Sequence, residues 1–452
     1  MPRAVRGRVL APTLALQVAL AVCAGTIGGI LEKPNAATSA LPGFSADTFA
    51  REGLISGATA AEAGCRALPD GLWVVAGERR ECIRYAAAGL RRPGATALVY
   101  IPGDPGGVSY RFAGGRPHVD RVSEHYGLTA ETRRYGAEAL SGAMGGTPVV
   151  LLARPGMHGS SGDHARDRQT EAEVLLIGGA LTRLRQRHSI EDFAVFGFSS
   201  GGAVVANLLA RRTDIRCAVI ASAPLDLAEF HHSPREGVVP DSYALRGSLA
   251  DPMRSAASID PDATVFVIGD RRDRAVPASA WERWVAAARR RNPHVFVAET
   301  TGFDRPELGG AATHHHTTSR GMEVAHACAA GWPAERVQRA LLADEPLIVP
   351  RGRHLSGAEI SAAFAGRRMR GTEWFPRVNV STHWGENGEL HHFDLRRPER
   401  RIAELRWWVD GDRLCTSRRG CGEVLSDGRF LHVVAGSPMR LSATFVGPPD
   451  GS

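Results

Sequence analysis

Short apolar runs alternate with amphipathic stretches from about residue 72 to residue 300. The runs are rich in β-branched and aromatic residues, which is typical of buried strands, and the longer stretches between them have helical periodicity. The runs that predict strands are LWVVAG, ECIRYAAAG, TALVYIPG, PVVLLARPG, FAVFGF, CAVIASAP, TVFVIGD and HVFVAET. The stretches that predict helices are 130–140, 170–187, 203–212 and 278–291. The alternation predicts an α/β fold, in which a mostly parallel central sheet carries helices on both faces.

The alternation stops near residue 343, and a different pattern follows. A short helical stretch, GAEISAAFAG, is followed by strand-like runs separated by the turn sequences GENGEL, VDGDRLC and SDGRF. Closely spaced turns of this kind favour a small antiparallel β-domain. The sequence therefore predicts an α/β domain over 61–343 and a β-rich domain over 347–452, preceded by a linker or N-terminal arm over 25–60.

The N-terminus has the pattern of an export signal over 1–24. A basic segment, MPRAVRGR, precedes the apolar VLAPTLALQVALAVCA, and small residues around Ala24 favour cleavage there. Two alternatives stay open. The uncharged stretch continues to Leu31, which is long enough for an uncleaved anchor, and LAVC is similar to a lipidation box at Cys23. We expect a periplasmic or extracellular protein.

Cysteine usage agrees with export. Of seven cysteines, one lies in the export signal, and an oxidising compartment would pair the other six. Sequence proximity favours Cys65 with Cys82 and Cys415 with Cys421, which leaves Cys217 with Cys328. The alternative is six buried free thiols in a cytosolic protein. None of these cysteines has zinc-ligand spacing, so no metal site is expected.

The charge of the chain does not favour nucleic-acid binding. The formal net charge is +7, and three of the arginines lie in the export signal, which leaves +4 without a basic run.

One corner of the predicted sheet carries the chemistry. The strand FAVFGF meets a helix across Gly197-Phe198-Ser199-Ser200-Gly201, which fits G-x-S-x-G. In a nucleophile elbow the serine sits on a strained strand-to-helix turn, so small residues are needed two positions before and after it. The N–H of Ser200 would lie at a helix N-terminus, where donor and dipole stabilise an oxyanion. The pattern predicts Ser199 as a nucleophile.

At these residues the chain resembles the α/β-hydrolase family over about 70–335. The loop IPGDPGG stands where the family keeps its oxyanion loop, and ARPGMHGSSGDH is similar to the segment after the fourth strand. Pro102 replaces the usual histidine and Pro105 lacks an N–H, so the resemblance implies the N–H of Asp104, or that of Gly103, as the second oxyanion donor.

The same resemblance implies the order serine, acid, histidine. The family ending D-x-x-V-P matches Asp273 to Pro277, so Asp273 is the expected acid. Asp270 is the alternative acid, and otherwise it is expected to cap the turn. The histidine is expected in the run THHHTT, as His314, with His315 as the alternative. We expect His164 in a solvated loop and His231 at the surface.

The implied function is a secreted serine hydrolase, prolyl-oligopeptidase-like or dienelactone-hydrolase-like, that forms an acyl-enzyme. The expected partner is a small ester or peptide substrate, without nucleic acid and without a cofactor, and the oligomeric state stays open. The alternative is a non-catalytic hydrolase fold that uses its β-domain for attachment to the cell envelope or to a partner. Tryptophans 384, 407 and 408 could stack on a ligand there, although packing is the expectation.

Overall fold

A mixed sheet organises the first part of the chain. The structure is a computed structural model that describes residues 51–90, 94–105, 108–113, 116–122, 129–232, 249–273, 275–300, 316–373, 378–394, 401–417, 420–435 and 440–446. Its first ten strands are β1 (Gly71–Ala76), β2 (Arg79–Ala88), β3 (Ala97–Ile101), β4 (Val108–Ala113), β5 (Arg116–Val122), β6 (Val149–Leu152), β7 (Phe193–Phe198), β8 (Ile215–Ala221), β9 (Thr264–Gly269) and β10 (Val295–Glu299). The sheet order is β1-β2-β6-β3-β7-β8-β9-β10.

All strands from β6 to β10 in that order are parallel, and β2 is antiparallel to both of its neighbours. Since the carboxyl ends of parallel strands share one edge of a sheet, the segments after β3, β6, β7, β8, β9 and β10 meet at that edge. This topology confirms the predicted mostly parallel sheet.

Helices cover both faces of the sheet. The described helices of this part are α1 (Arg51–Ser56), α2 (Glu62–Ala67), α3 (Ala130–Ala143), α4 (His164–Asp167), α5 (Glu171–His188), α6 (Ser200–Leu209), α7 (Leu227–His232), α8 (Pro252–Ser255), α9 (Ser279–Arg289), α10 (His316–Ala329) and α11 (Ala334–Leu342). Apolar side chains of α5, α6 and α9 pack on one face, and those of α3, α10 and α11 pack on the other. β7 is buried over its whole length, which fits a strand with helices on both sides.

Three local features differ from the sequence expectation. A hairpin, β4–β5, is inserted between the loop after β3 and α3, and β5 contacts α1 and α4. Helix α6 begins at Ser200, three residues earlier than its apolar pattern suggests. Helix α1 lies inside the segment assigned to the N-terminal arm.

The C-terminal part is a barrel, which confirms the antiparallel β-domain. Its elements are β11 (Arg353–His354), α12 (Gly357–Phe364), β12 (Arg367–Glu373), β13 (Val378–Trp384), β14 (Glu389–Asp394), β15 (Arg401–Asp410), β16 (Arg413–Thr416), β17 (Gly420–Ser426), β18 (Phe430–Ala435) and β19 (Arg440–Val446). Strands β17 to β12 follow one another in reverse order, β12 then pairs with β19, and β18 pairs with both β19 and β17. The pairing of β17 with β18 closes the ring of strands. A closed sheet has no free edges, which removes a route to aggregation.

Aromatic packing fills the barrel. The rings of Trp384 and Trp407 meet edge to face at 5.6 Å between centroids, and Phe364 of α12 meets Trp384 at 4.7 Å. Both tryptophans are buried, whereas Trp408, which faces the opposite side of β15, is 45% exposed. Two of the three tryptophans therefore serve packing, as expected.

The barrel packs on α3. The ring of Phe430 lies so close to α3 that a Cβ added at Gly142 would be 2.8 Å from it. The Tyr135 hydroxyl donates to the Arg370 carbonyl at 2.6 Å. These contacts join the barrel to the helix layer of the first sheet.

Disulfides join Cys65 to Cys82, Cys217 to Cys328, and Cys415 to Cys421, the pairs expected from the sequence. Within the described ranges, no helix is both long enough and apolar enough to span a membrane.

Candidate active site

Ser199 occupies the corner between β7 and α6 in a strained conformation. Its φ of 52° and ψ of −127° lie outside the regions that L-residues ordinarily adopt, at a cost of about 1–3 kcal/mol. Its N–H donates to the Ala221 carbonyl at 2.8 Å, and its own carbonyl accepts from the Gly202 N–H at 2.9 Å. The neighbouring strand and the helix thus hold the backbone in place. Ser199 is partly exposed, although the residues on both sides of it are buried.

The glycines of G-x-S-x-G are required by close backbone contacts. A Cβ added at Gly197 would lie 2.6 Å from the Gly201 carbonyl oxygen. A Cβ added at Gly201 would lie 2.4 Å from the Ile101 carbonyl oxygen and 2.5 Å from that of Pro102. The elbow is therefore pressed directly against the loop that follows β3.

The loop after β3 reaches the serine itself. A Cβ added at Gly103 would lie 2.8 Å from the Ser199 Cβ, so the backbone between Gly103 and Asp104 borders the nucleophile. The N–H of Ser200, in the first turn of α6, has no partner within the helix. The predicted oxyanion donors, Ser200 and Asp104, thus stand on two segments that meet at Ser199.

The side chain of Asp104 anchors this loop. Its Oδ1 accepts from the Ser200 hydroxyl at 2.7 Å, and its Oδ2 lies 2.9 Å from Arg168 Nη1. His164 Nε2 lies 3.3 Å from Oδ1. Burial acts to raise the pKa of Asp104, but Arg168, His164 and Arg154 hold it well below its ordinary value. The carboxylate is therefore ionised and fixed beneath the loop.

Arg154, just beyond β6, connects this carboxylate to the elbow. The side chain is fully buried, and its Nη1 donates to Ser200 Oγ at 2.7 Å and to Asp104 Oδ1 at 3.0 Å. Its Nε and Nη2 donate to the two oxygens of Glu173, on α5, at 2.7 and 3.1 Å. A buried guanidinium with two carboxylate partners satisfies the rule that buried charges are paired.

Asp273 follows β9 at the same edge of the sheet. Its Oδ1 accepts from the N–H groups of Ala275 and Val276 at 2.8 and 3.1 Å. Its Oδ2 is buried and has no hydrogen-bond partner among the described residues. Burial raises the pKa of Asp273 to about 6, against the opposing effect of these N–H groups and of the nearby Ser222 hydroxyl. Asp270 accepts from the Arg272 N–H at 2.9 Å, which is the turn-capping contact expected of it.

The two candidate histidines, His314 and His315, lie outside the described residues. The chain resumes with α10, whose Thr317 Oγ1 is 2.9 Å from the hydroxyl of Ser222, the residue after β8. Since β8 lies between β7 and β9, Thr317 is anchored between the strands that carry Ser199 and Asp273.

The sequence analysis did not identify Arg154 and Glu173, which lie beneath the oxyanion loop. It was also wrong about the exposure of two histidines. His164 is fully buried beside Asp104 instead of solvated, and burial lowers its pKa below the ordinary value, which keeps the ring neutral at pH 7. His231 is buried as well, instead of lying at the surface. The Gly-Ser-Ser-Gly run just before His164 resembles a solvated loop, whereas the structure brings His164 against the Asp104 carboxylate.

A metal centre is not supported by the donor groups of the described residues. The cluster of potential ligands found there is Asp410 with Cys415 and Cys421, and both sulfurs are already bonded to each other.

Comparisons with known proteins find likeness only at the level of the fold. No family model and no curated protein matches the chain. An esterase of Pyrococcus furiosus is 18% identical, with a TM-score of 0.36, over 51% of this chain and 80% of its own. An acylaminoacyl peptidase of Pyrococcus horikoshii is 14% identical, with a TM-score of 0.38, over 57% of this chain and 40% of its own. Est1E of Butyrivibrio proteoclasticus is 12% identical, with a TM-score of 0.36, over 61% of this chain and 99% of its own.

This chain thus spans less than half the length of the acylaminoacyl peptidase. The class of the fold follows from the chain's own strand order and elbow: the described residues between 71 and 342 have the arrangement of an α/β-hydrolase fold, and a closed β-barrel follows them.

Proposed function

We propose that this protein is an exported serine hydrolase that cleaves an ester or amide bond through an acyl-enzyme. The observation that carries the proposal is the conformation of Ser199. It is partly exposed, strained at φ 52°, and makes no side-chain hydrogen bond to the helix that it precedes. A serine that only ended a turn would relax or cap the helix, so the strain indicates a hydroxyl held for chemistry.

The chemistry assigns one role to each group. Ser199 Oγ attacks the substrate carbonyl, and the imidazole of His314, or of His315, takes its proton and later donates it to the leaving group. Asp273 orients that imidazole and stabilises its protonated form. The buried Oδ2 of Asp273, without a partner among the described residues, is available to accept the imidazole N–H.

The oxyanion of the tetrahedral intermediate would bind the N–H groups of Ser200 and Asp104. Support comes from the contact of Gly103 with Ser199 and from the position of Ser200 at the start of α6. Water then attacks the acyl-enzyme with the same histidine as base, which releases the acid and restores Ser199. No cofactor takes part in this scheme.

Export is supported by the disulfides. Three disulfides within the described part of the chain fit an oxidising compartment. The predicted signal over 1–24 lies outside the described residues.

A fluorophosphonate probe tests the proposal, because it reacts with an activated serine and stays bound. We expect stoichiometric labelling of the wild-type protein on the peptide that contains Ser199, and no labelling of Ser199→Ala. Ser356→Ala is the matched control: it removes another serine that precedes a helix, and it should label as fast as wild type.

Equal labelling of wild type and Ser199→Ala would contradict the proposal. Labelling of both proteins at background level would favour the alternative, in which the hydrolase fold is non-catalytic and the barrel does the binding.

A further inference from the structure

The two halves of the proposed oxyanion hole lie on different segments and need a fixed spacing. Ser200 belongs to α6, whereas Asp104 belongs to the loop after β3. Oxyanion donors act only when both lie about 2.7–3.1 Å from the developing charge, so a small change in their separation weakens the stabilisation. Backbone contacts at Gly103 and Gly201 already bring the loop against the elbow, and side-chain contacts can fix their separation further.

Arg154 makes that connection through a single nitrogen. Its Nη1 donates to Ser200 Oγ on the elbow side at 2.7 Å, and to Asp104 Oδ1 and the Pro102 carbonyl on the loop side at 3.0 and 3.4 Å. The Ser200 hydroxyl itself donates to Asp104 Oδ1 at 2.7 Å, which closes a triangle between the three side chains.

The other edge of the guanidinium is fixed independently. Glu173, fully buried on α5, accepts two hydrogen bonds from Arg154 and one from the Gln169 N–H at 2.7 Å. The planar guanidinium fork suits this use, because it presents several donors in one fixed geometry. Glu173 on α5 thus fixes the position of Arg154, and Arg154 in turn binds the loop at Asp104 and the elbow at Ser200.

We propose that Arg154 is a positioning residue that sets the spacing between the two oxyanion donors. The inference rests on the proposed function. Charge balance alone does not require the contact with Ser200, because Arg168 already pairs with the Asp104 carboxylate at 2.9 Å. What Arg154 adds is a bond to the residue that carries the first donor.

The test is the paired replacement Arg154→Met with Glu173→Gln. Removing one member of a buried ion pair strands the other charge and destabilises the fold, whereas removing both avoids that penalty. We expect the double variant to unfold within a few degrees of wild type. With p-nitrophenyl butyrate its kcat should fall about 10- to 100-fold while KM changes less than about threefold, because oxyanion contacts form only in the transition state.

The matched control is Arg84→Met with Asp70→Asn. Arg84 is also a buried arginine, and it pairs with Asp70 at 2.6 Å, but it lies on β2, three strands away from β7. The kcat of this control variant should stay within about twofold of wild type.

The outcomes separate the two proposals. Wild-type labelling by the fluorophosphonate, together with an unchanged kcat in the folded double variant, would overturn the role of Arg154 and leave the hydrolase proposal intact. A wild-type protein that neither labels nor hydrolyses the ester would overturn both.

If the double variant does not fold, Ser200→Ala decides the question. It keeps the Ser200 N–H and removes only the hydroxyl that Arg154 and Asp104 share. A several-fold lower kcat at unchanged KM and unchanged melting temperature supports the inference, because it shows that the hydrogen bonds of Arg154 and Asp104 to this hydroxyl position the donors. An unchanged kcat overturns it, because the contact between Arg154 and Ser200 would then have no effect on catalysis.

Discussion

Two aspartate turns of the same design, one in each part of the molecule, differ in the surroundings of the second carboxylate oxygen. Asp273 at the sheet edge and Asp427 in the barrel each use Oδ1 to accept from the N–H groups two and three residues further along the chain. In the barrel, the Asp427 Oδ2 lies 3.4 Å from the Nε2 of His432. At the sheet edge, the Asp273 Oδ2 is buried without a partner among the described residues.

Two serines at helix starts show the same difference. Ser356 precedes α12 with an ordinary φ of −69°, and its hydroxyl and N–H form a capping box with Glu359. Ser199 precedes α6 at φ 52° and makes no capping bond. Natural proteins keep strain and unmet bonding capacity where function requires them, so the contrast supports the proposed site at the sheet edge and a structural role for the barrel turns.

Replacing the two aspartates gives the largest effect on activity. We expect Asp273→Asn to lower kcat by about 10³- to 10⁴-fold, because an amide neither fixes the imidazole tautomer nor stabilises the imidazolium. Asp427→Asn alters the same type of turn and should leave kcat within about twofold. Steady-state hydrolysis of p-nitrophenyl butyrate by the folded variants measures both.

Asp270→Asn is a second control, since Asp270 is the alternative acid. If it lowered kcat as much as Asp273→Asn, the assignment of the acid would be wrong. If Asp427→Asn did so, the comparison between the two turns would fail.

The pH dependence of stability tests the environment of Asp273. Its pKa in the folded protein is about 6, above the ordinary value of 3.8, because burial penalises the charged form. The folded state therefore binds a proton between about pH 4 and 6 that the unfolded state releases. The protonated Asp273 carboxyl therefore adds to the free energy of unfolding at low pH, and this added stability is lost as the pH rises through 6.

Asp273→Asn removes this dependence. The free energy of unfolding of wild type, relative to that of the variant, should fall by about 2 kcal/mol from pH 4 to pH 8. Urea unfolding of both proteins across this range measures the difference. A difference that stays constant with pH would show that the carboxyl is not buried in a way that raises its pKa.

The local features of the site could be predicted from sequence, because they depend on residues close together in the chain. The elbow follows from small residues two positions on each side of Ser199, and the alternation of strand and helix predicts its place at the sheet edge. The hairpin β4–β5 had a usable signal as well: alternating VSYRFA and RPHVDRV runs on either side of Gly114-Gly115.

The support beneath the oxyanion loop could not be predicted in this way. Arg154 meets Asp104 and Ser200 across 50 and 46 residues, and such contacts depend on strand order and on how α5 packs. His164 lies in a Gly- and Ser-rich segment. The sequence there has no periodic pattern that distinguishes a solvated loop from a loop folded over a buried carboxylate. Long-range polar networks therefore required the structure.

The smallest expected effects are changes of about 1 kcal/mol in the free energy of unfolding. They should have opposite signs for substitutions at Ser356 and at Ser199. Ser356→Ala removes a capping box and should lower the free energy of unfolding by about 1 kcal/mol. Ser199→Gly relieves a positive φ, which outweighs the added freedom of the unfolded chain, and should raise the free energy of unfolding by roughly 0.5–1 kcal/mol while it abolishes hydrolysis. Urea titrations of the two variants beside wild type measure both changes. If Ser199→Gly destabilised the protein as Ser356→Ala does, Ser199 would be an ordinary structural residue, and the strain that distinguishes the two helix starts would have no link to catalysis.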